Sequence, residues 1–184
     1  MFEIEPMEFQ HLFCVHTLNQ RNLPENYILK FFQYHLVSYP DLNYVATINT
    51  HSDKSSEDNT KTVVGYILSK ITQSENIIES NLEAHISSIC VDEGFRRQGI
   101  AKALVAKAIK SLVDYVAVNR PNQKIICITL KVRESNVNAI VFYEKFGFSV
   151  AERNVHYYSD GEDAFNMERK IVINTFKGED ISNF

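Results

Sequence analysis

The segment from Val91 to Val118 constrains the fold more than any other part of the chain, because a strand, a basic turn and a long helix follow one another there. Apolar residues recur at every fourth position after the turn, as on the buried face of an amphipathic helix, and predict a helix over residues 100–118. They are Ile100, Leu104, Ala108, Leu112 and Val116. Gly99 stands directly before this helix. This order predicts an α/β (α+β) protein in which the helix packs against a sheet.

The start of that helix is the strongest candidate for an anion-binding site. The first backbone N–H groups of a helix lack partners within it and carry a partial positive charge, which suits a pyrophosphate. Gly99 lets a phosphate approach the backbone because it has no side chain, and Arg96 and Arg97 add positive charge with forked donors. The glycine patterns of dinucleotide-binding folds and of P-loops do not occur in the sequence. The alternative is a basic helix cap that binds nothing.

The remaining elements follow from periodicity and turn signals, and together they predict a mixed sheet with helices on its faces. Strands are predicted over residues 2–5, 44–48, 63–71, 84–91, 124–132 and 164–172, and helices over 6–18, 25–37 and 136–145. Pro6 is expected to open the first helix, because proline suits the first helical turn. Asp160 and Gly161 form a hairpin turn signal before the last strand. The polar residues 49–62 predict a solvated hairpin loop, read most simply as a tolerated surface insertion.

Size and composition limit the class of protein. A chain of 184 residues, 45% hydrophobic and 23% charged, fits one globular domain with a single core. The net charge of -4 gives no overall basic field for nucleic acid or an anionic membrane. No apolar run approaches the roughly 20 residues that span a bilayer, and Glu3 and Glu5 stand where a signal peptide would carry positive charge. We therefore expect a cytoplasmic protein that binds neither membranes nor nucleic acid directly.

Cysteines and histidines indicate neither disulfides nor a metal site. Cys14, Cys90 and Cys127 are odd in number and far apart, as expected of reduced thiols, and a small buried side chain is favoured over a catalytic cysteine for each. His11 and His16 have the wrong spacing for two ligands on one helix face, and no Cys-x-x-Cys occurs. We therefore expect no bound metal.

Two sequence blocks resemble the signatures of the GNAT family of N-acetyltransferases. Arg96 to Ala101 resembles the family's Arg/Gln-x-x-Gly-x-Gly/Ala sequence, which cradles the pyrophosphate of acetyl-CoA. A second block resembles its Asn-x-x-Ala-x-x-x-Tyr-x-x-x-Gly-Phe sequence and consists of Asn136, Ala139, Tyr143, Gly147 and Phe148. The resemblance implies a GNAT fold over residues 1–172, with a mixed, mostly antiparallel sheet of six to seven strands and about four flanking helices. A short polar tail over residues 173–184 follows.

The same resemblance implies acetyl-CoA as co-substrate. Its binding residues are expected in both blocks and in the strand before the basic turn. They are Ile89, Cys90, Val91, Arg96, Arg97, Gln98, Gly99, Ile100, Ala101, Asn136 and Tyr143. Tyr143 would lie near the coenzyme sulfur and supply a proton or a hydrogen bond to the leaving thiolate. The alternative for Tyr143 is a core aromatic residue.

Further blocks are similar to the catalytic subunits of NatA-type N-terminal acetyltransferases, and the similarity covers residues 1 to about 172. The blocks lie at Asn22–Tyr27, His85–Ser88, Val132–Asn136 and Tyr157–Ala164. They imply transfer of acetyl to the α-amine of nascent chains that start with small residues such as Ser, Ala, Thr or Gly. The polar stretch 49–62 is longer than this family leads one to expect, and the C-terminal tail is much shorter.

The resemblance assigns four further roles. Glu25 would help to deprotonate the amine through water, Arg133 and Tyr158 would shape the peptide site, and His85 would assist. Glu25 has the alternative role of favouring the N-terminus of its helix, and Arg133 that of a surface ion-pair partner. Backbone N–H groups near Cys90 and Val91 are the expected donors to the carbonyl oxygen that gains charge during attack.

An α-amine suits this set of residues chemically. Only a neutral amine attacks a thioester, and the pKa of an α-amine lies roughly 2.4 units below that of a lysine side chain, which is about 250-fold in neutral fraction at pH 7. A weak base that relays through water therefore suffices. The open alternatives are a monomeric N-terminal or lysine acetyltransferase and a non-catalytic acetyl-CoA-binding regulator.

The first two helices predict a partner surface. They carry more large apolar side chains than one buried stripe can hide, namely Phe9, Leu12, Phe13, Phe31, Phe32, Tyr34 and Leu36. In the resembled family a large helical-repeat auxiliary subunit docks on this region and brings the complex to the ribosome. The alternative is that these side chains fill a well-packed core.

Overall fold

The computed structural model describes residues 1–51, 59–73, 81–120 and 123–171. The strands are β1 Phe2–Pro6, β2 Tyr44–His51, β3 Asn59–Gln73, β4 Asn81–Val91, β5 Lys124–Arg133, β6 Ser149–Asn154 and β7 Ala164–Lys170. The α-helices of the described residues are α1 Leu12–Asn22, α2 Leu29–Ser38, α3 Ile100–Asn119 and α4 Val137–Glu144.

The strands form one seven-stranded sheet in the order β1-β2-β3-β4-β5-β7-β6. β4 and β5 are parallel, whereas β1–β2, β2–β3, β5–β7 and β6–β7 are antiparallel. The predicted mixed, mostly antiparallel sheet with about four helices is confirmed.

The chain divides into two compact units, and the first contains Met1–Lys70 and Ser88–Tyr115. Its core joins α1 and α2 to the sheet through buried apolar side chains, which include Met7, Leu12, Val15, Leu18, Phe32, Leu36, Val45, Tyr66 and Leu68. Leu104, Ala108 and Leu112 of α3 are fully buried, as the four-residue periodicity predicts. This unit carries the start of α3 and the loop between α1 and α2.

The prediction that Pro6 opens a helix is wrong. Pro6 is the last residue of β1, where it pairs with Tyr44, and the next backbone N–H, that of Met7, donates to Asn43 O at 2.9 Å. Proline is tolerated at the end of an edge strand for the same reason that it suits a first helical turn: neither place needs its missing N–H. A short 3₁₀ turn at Phe9–His11 follows, and α1 then runs four residues beyond the predicted end at Leu18, to Asn22.

The loop within the polar stretch 49–62 is shorter than the sequence predicts. Residues 49–51 belong to β2 and residues 59–62 to β3, and His51 pairs with Asn59. Backbone pairing needs no apolar side chains, and Lys61 forms ion pairs with Glu3 and Glu5 of β1 at 2.9 and 2.7 Å. Residues 52–58 lie outside the described residues, so the surface-insertion reading stays a prediction.

The second unit contains Ile71–Ser87 and Val116–Phe184, and it is described to residue 171. Its parallel pairing runs from Asn81 opposite Lys124 to Ile86 opposite Leu130. The hairpin turn predicted at Asp160 and Gly161 is present, and Gly161 adopts the left-handed φ of +85° that favours glycine. The predicted polar tail 173–184 lies outside the described residues. Among those that are described, no helix is long and apolar enough to cross a membrane.

Candidate active site

The turn between β4 and α3 has the geometry of an open helix N-terminus. Asp92 caps a 3₁₀ turn at Glu93–Phe95 by accepting a hydrogen bond from the Gly94 N–H at 3.1 Å. Gly99 has a φ of +85°, and apart from its chain neighbours no heavy atom of the described residues lies within 4 Å of the place where its side chain would begin. The Ala103 N–H donates to Gly99 O at 3.0 Å, which marks the first turn of the helix. The N–H groups that precede Ala103 therefore have no carbonyl to bind within α3 and are suited to an anion.

The two arginines of the turn have different surroundings. The Arg96 guanidinium donates to Val91 O at 3.2 Å and to Asn22 Oδ1 at 3.3 Å, so it fastens the turn to the end of α1. Asn22 Oδ1 also accepts from the Glu93 N–H at 3.0 Å. Arg97 is exposed, has a φ of +65°, and makes no ion pair within the described part of the chain. Arg96 therefore shapes the turn, whereas the charge of Arg97 is available to an anion.

The first turn of α3 packs closely on β3 and on the end of β4. A side chain at Gly65 would meet Cys90 O at 3.0 Å and the Ile100 side chain at 3.3 Å. Ile100 and Cys90 are buried, and Cys90 Sγ lies 3.7 Å from Leu18 O. Burial raises the pKa of the Cys90 thiol to about 12, so the thiol stays protonated at neutral pH. This environment favours the structural interpretation of Cys90. Cys127 is buried as well, whereas Cys14 is exposed, so the expected burial is wrong for Cys14.

Glu25 lies in the loop between α1 and α2, and not in a helix as predicted. The helix begins at Leu29 because Pro24 and the backbone bond from the Asn26 N–H to Pro24 O, at 3.1 Å, form a turn before it. The alternative role for Glu25, support of a helix N-terminus, therefore does not apply. Asn19 of α1 holds this loop: its Nδ2 donates to Glu25 O at 3.0 Å and its Oδ1 accepts from the Tyr27 N–H at 2.9 Å.

In the second unit, Arg133 and Tyr158 are in direct contact. The Arg133 guanidinium lies 4.1 Å from the centre of the Tyr158 ring and forms ion pairs with Asp160 at 2.8 Å and Glu162 at 2.5 Å. Glu162 also accepts from the Ser135 N–H at 3.0 Å. Hydrogen bonds from Ser135 and the contact with Arg133 lower the pKa of Glu162. Arg133 is thus an ion-pair partner, as the alternative held, and it also orients Tyr158.

His85 of β4 contacts Thr129 of β5. His85 Nδ1 lies 2.9 Å from Thr129 Oγ1, and the same hydroxyl donates to Ala84 O at 3.3 Å. Because the only hydroxyl proton is directed at Ala84 O, the bond to His85 is best satisfied when Nδ1 carries the ring proton. Nε2 is then the proton-accepting nitrogen of a neutral His85.

Tyr143 and Asn136 lie on and beside α4. Asn136 caps this helix, because its side chain accepts from the Ala139 N–H at 3.2 Å. Tyr143 is buried against Phe142 and Phe148. Burial raises the pKa of Tyr143 above its ordinary value, so the phenol stays protonated and suits a proton or hydrogen-bond donor.

Several residues that surround these side chains were not predicted. Asp160, Glu162 and Thr129 were missed, although the first two stand in the Tyr157–Ala164 block. Asn19 was missed as well, and its signal is a polar residue on the buried stripe of α1. Among the described residues, no cluster of three or more His, Cys, Asp or Glu side chains could hold a metal ion.

A model of the acetyltransferase (GNAT) family matches residues 15–148, more than half of the chain. The chain therefore belongs to the acetyltransferase (GNAT) family and is an acyltransferase, as the two sequence blocks predicted.

Relatives of known class are similar over most of the chain. The catalytic subunit ard1 of the N-terminal acetyltransferase A complex of Schizosaccharomyces pombe is 33% identical over 168 residues, which cover 91% of this chain and 84% of that protein. An N-alpha-acetyltransferase of Saccharolobus solfataricus is 37% identical over 162 residues, which cover 84% of each chain. A chain of the crystal structure of the NatC complex bound to Gag peptide and CoA superposes with a TM-score of 0.75 and 25% identity, covering 93% of this chain and 99% of that one. These findings confirm the GNAT fold and the similarity to NatA-type catalytic subunits.

Proposed function

We propose that this chain is an N-α-acetyltransferase of the NatA type, which moves acetyl from acetyl-CoA to the α-amine of proteins that begin with Ser, Ala, Thr or Gly. The observation that carries the proposal is the 33% identity to a catalytic subunit of this kind over 91% of the chain. The whole acetyltransferase is assigned to one domain over residues 1–172, followed by the tail 173–184.

The coenzyme pyrophosphate is assigned to the start of α3. The support is the open N-terminus at Gly99, the neighbouring charge of Arg97 and the absence of any side chain over the glycine. Gln98, Ile100 and Ala101 supply backbone N–H groups, and Ile89 to Val91 of β4 line the acyl end. Arg96 contributes indirectly by fixing the turn. Asn136 contributes by fixing the start of α4, which carries Tyr143.

Glu25 is assigned to proton removal from the attacking amine. The neutral amine forms a bond to the thioester carbon, the carbon–sulfur bond breaks, and the amine proton passes through water to Glu25. Backbone N–H groups near Cys90 and Val91 donate to the carbonyl oxygen as it gains charge. Tyr143 gives a proton or a hydrogen bond to the departing thiolate, which is consistent with its protonated state. A covalent acyl-enzyme on Cys90 is disfavoured by the protonated thiol.

Arg133, Tyr158 and His85 are assigned to the peptide side of the reaction. The ion pairs of Arg133 with Asp160 and Glu162 hold Tyr158 in one orientation, which supports a role in shaping a binding surface. His85 is assigned an assisting role, and its contact with Thr129 supports this by fixing the orientation of the ring.

A helical-repeat auxiliary subunit is assigned to the outer face of the first two helices and would bring the complex to the ribosome in the cytoplasm. Large apolar side chains of this region are exposed, namely Phe9, Phe13, Ile28, Tyr34 and Val37. The alternative reading holds for Leu12, Phe32 and Leu36, which are buried in the core, and Phe31 is partly buried. The exposed group supports a partner because such patches mark interfaces.

The test is a comparison of the chain alone with the chain bound to a NatA-type auxiliary subunit, on peptides that start with Ser or Ala. The proposal predicts poor turnover alone and efficient turnover in the complex. Full activity of the isolated chain would favour a monomeric acetyltransferase. Binding of acetyl-CoA without turnover in either form would favour a non-catalytic regulator.

A further inference from the structure

A buried polar network joins the loop that carries Glu25 to the sheet. It begins at Asn19, whose side chain is inaccessible to solvent although it lies on the core face of α1. Asn19 Nδ2 donates to Glu25 O at 3.0 Å and to the Tyr66 hydroxyl at 3.1 Å, and Asn19 Oδ1 accepts from the Tyr27 N–H at 2.9 Å. Every hydrogen-bonding direction of the amide except one lone pair is thereby used.

The network continues from Tyr66 on β3 to Ser88 on β4. Both side chains are buried, and their oxygens lie 2.9 Å apart. Since the Tyr66 oxygen accepts a hydrogen from Asn19, its own proton is available for Ser88 Oγ. Burial raises the pKa of Tyr66, so the hydroxyl stays neutral throughout the working pH range. A satisfied, neutral and buried network of this kind has one favoured geometry.

The two bonds of Asn19 to the loop lie on either side of Asn26. One fixes the carbonyl of Glu25, and the other fixes the N–H of Tyr27, which is two residues later. A loop held at both points cannot shift or rotate at Asn26 without breaking a hydrogen bond to Asn19, which leaves a buried polar group unsatisfied. Asn19 therefore fixes the backbone from which the Glu25 side chain leaves.

We propose that Asn19 and Tyr66 are positioning residues that hold Glu25 where it can accept the proton of the attacking amine. This inference rests on the role proposed above for Glu25. Neither residue is assigned a contact with substrate, so both act through Glu25. Misplacement of a catalytic group by about 1 Å costs up to about 10²-fold in rate, which sets the scale of the expected effect.

Asn19→Asp is the sharpest single change. It keeps the size of the side chain and the acceptor for the Tyr27 N–H, but it replaces the donor to Glu25 O by an oxygen that repels it. We expect kcat to fall by about 10- to 10²-fold while the dissociation constant of acetyl-CoA, measured by calorimetry, stays within about twofold. Tyr66→Phe removes one partner of Asn19 without adding a repulsion, and a smaller fall in kcat is expected.

The chain contains a matched control for each change. Asn43 is as buried as Asn19 and likewise uses both its Nδ2 and its Oδ1: the Nδ2 donates to His35 O and Tyr39 O, and the Oδ1 accepts from the Ser69 N–H. Tyr44 is a buried tyrosine whose hydroxyl bonds Asp41 O and Ser111 Oγ, outside the network. Asn43→Asp and Tyr44→Phe should lower the melting temperature about as much as their counterparts and leave kcat at the parent value.

The deciding experiment combines Asn19→Asp with Glu25→Gln in the full chain, with the auxiliary subunit where turnover needs it. If Asn19 acts through Glu25, Asn19→Asp lowers kcat in the parent and has no further effect in Glu25→Gln. An equal loss in both backgrounds, or a loss of kcat matched by Asn43→Asp, overturns the inference. Normal kcat in Glu25→Gln overturns the role of Glu25 and, with it, the positioning role.

A second readout needs no turnover. A glutamate-specific protease should cleave after Glu25 faster in Asn19→Asp than in Asn43→Asp, because only the first change releases the loop. If the parent chain transfers no acetyl group, the proposed function fails, and the claim that Asn19 holds the loop is judged on cleavage alone. Equal cleavage rates in the two variants overturn that claim.

Discussion

The two candidate regions of this chain are held in place by different kinds of interaction. The Glu25 loop of the first unit is fixed by neutral hydrogen bonds with the fully buried Asn19, whose partners are backbone and phenol groups. The Tyr158 turn of the second unit is fixed by the charges of Arg133, Asp160 and Glu162. Buried neutral bonds are insensitive to salt, whereas charges near solvent are screened by it. The region assigned to proton transfer thus has a geometry that does not depend on salt, whereas salt weakens the interactions that hold the region assigned to the peptide.

The largest effect is expected at the coenzyme end of the first unit. Gly99→Glu places bulk and negative charge at the start of α3, in a backbone conformation that favours glycine. Binding of acetyl-CoA, measured by calorimetry, should be lost. Gly161→Glu is the matched control, because Gly161 has the same φ of +85° in the second unit. Undiminished binding in Gly99→Glu, or equal loss in both variants, would show that the pyrophosphate site is elsewhere.

The next largest effect tests the assigned base. Glu25→Gln removes the proton acceptor and keeps the shape of the side chain, so kcat should fall by about 10²-fold with little change in coenzyme affinity. Steady-state kinetics at saturating peptide and acetyl-CoA measure the change. The fixed geometry of the loop implies that added salt does not restore the rate. A variant with parent kcat would contradict the role of Glu25 but not the fold.

The first unit also contains a buried histidine, His35, that makes its stability depend on pH. Burial lowers the pKa of His35 in the first unit from 6.5 to about 4. The unfolded chain therefore binds a proton at His35 between pH 6.5 and 4 while the folded chain does not, and stability is lost as the pH falls through this window. The shift of about 2.5 units corresponds to about 3 kcal/mol.

His35→Gln should remove that part of the pH dependence. Urea unfolding at pH 7 and pH 4.5 measures it as the difference between parent and variant. The lowered pKa values of Asp160 and Glu162 act at lower pH, because their contribution is present above the ordinary carboxyl values and is lost below them. An unchanged pH dependence in the variant would contradict the assignment to His35.

The smallest effect is expected at the charged region. Arg133→Gln removes both ion pairs and the stacking on Tyr158, so the KM of the peptide should rise by several-fold, on the order of the loss of a partly exposed ion pair. The KM of the parent should also rise with salt, whereas that of the variant should not. Equal salt dependence in parent and variant would mean that the charges of Asp160 and Glu162 do not hold the peptide site.

Local signals in the sequence predict much of this structure. Contacts between residues far apart in the sequence leave no such signal and could not be predicted. Gly99 before the long helix, the helix that starts near Asn136 and the Asp160–Gly161 turn were predictable because each depends on a few adjacent residues. Pro6 was assigned to a helix because an edge strand and a first helical turn accept proline for the same reason. The sequence predicts a loop over residues 49–62 because an apolar pattern does not detect strands made of polar residues, such as 49–51 and 59–62.

The buried network of Asn19, Tyr66 and Ser88 shows most clearly what the sequence alone does not predict. Asn19 and Tyr66 are 47 positions apart in sequence, and nothing local pairs them. The loop that Asn19 holds was not predicted, because the apolar spacing of α2 extends back to Tyr27 and predicts a helix over 25–37. Only the tertiary structure brings an amide on α1 to the loop between the helices.

The central claim is that the acceptor is an α-amine, and one peptide tests it directly. The peptide begins with a free Ser and carries a lysine further along, so both amines compete in the same molecule. After incubation with acetyl-CoA and the chain, with and without a NatA-type auxiliary subunit, tandem mass spectrometry locates the acetyl group. We expect acetylation of the Ser α-amine with the lysine unmodified. Acetylation of the lysine with an unmodified N-terminus would contradict it.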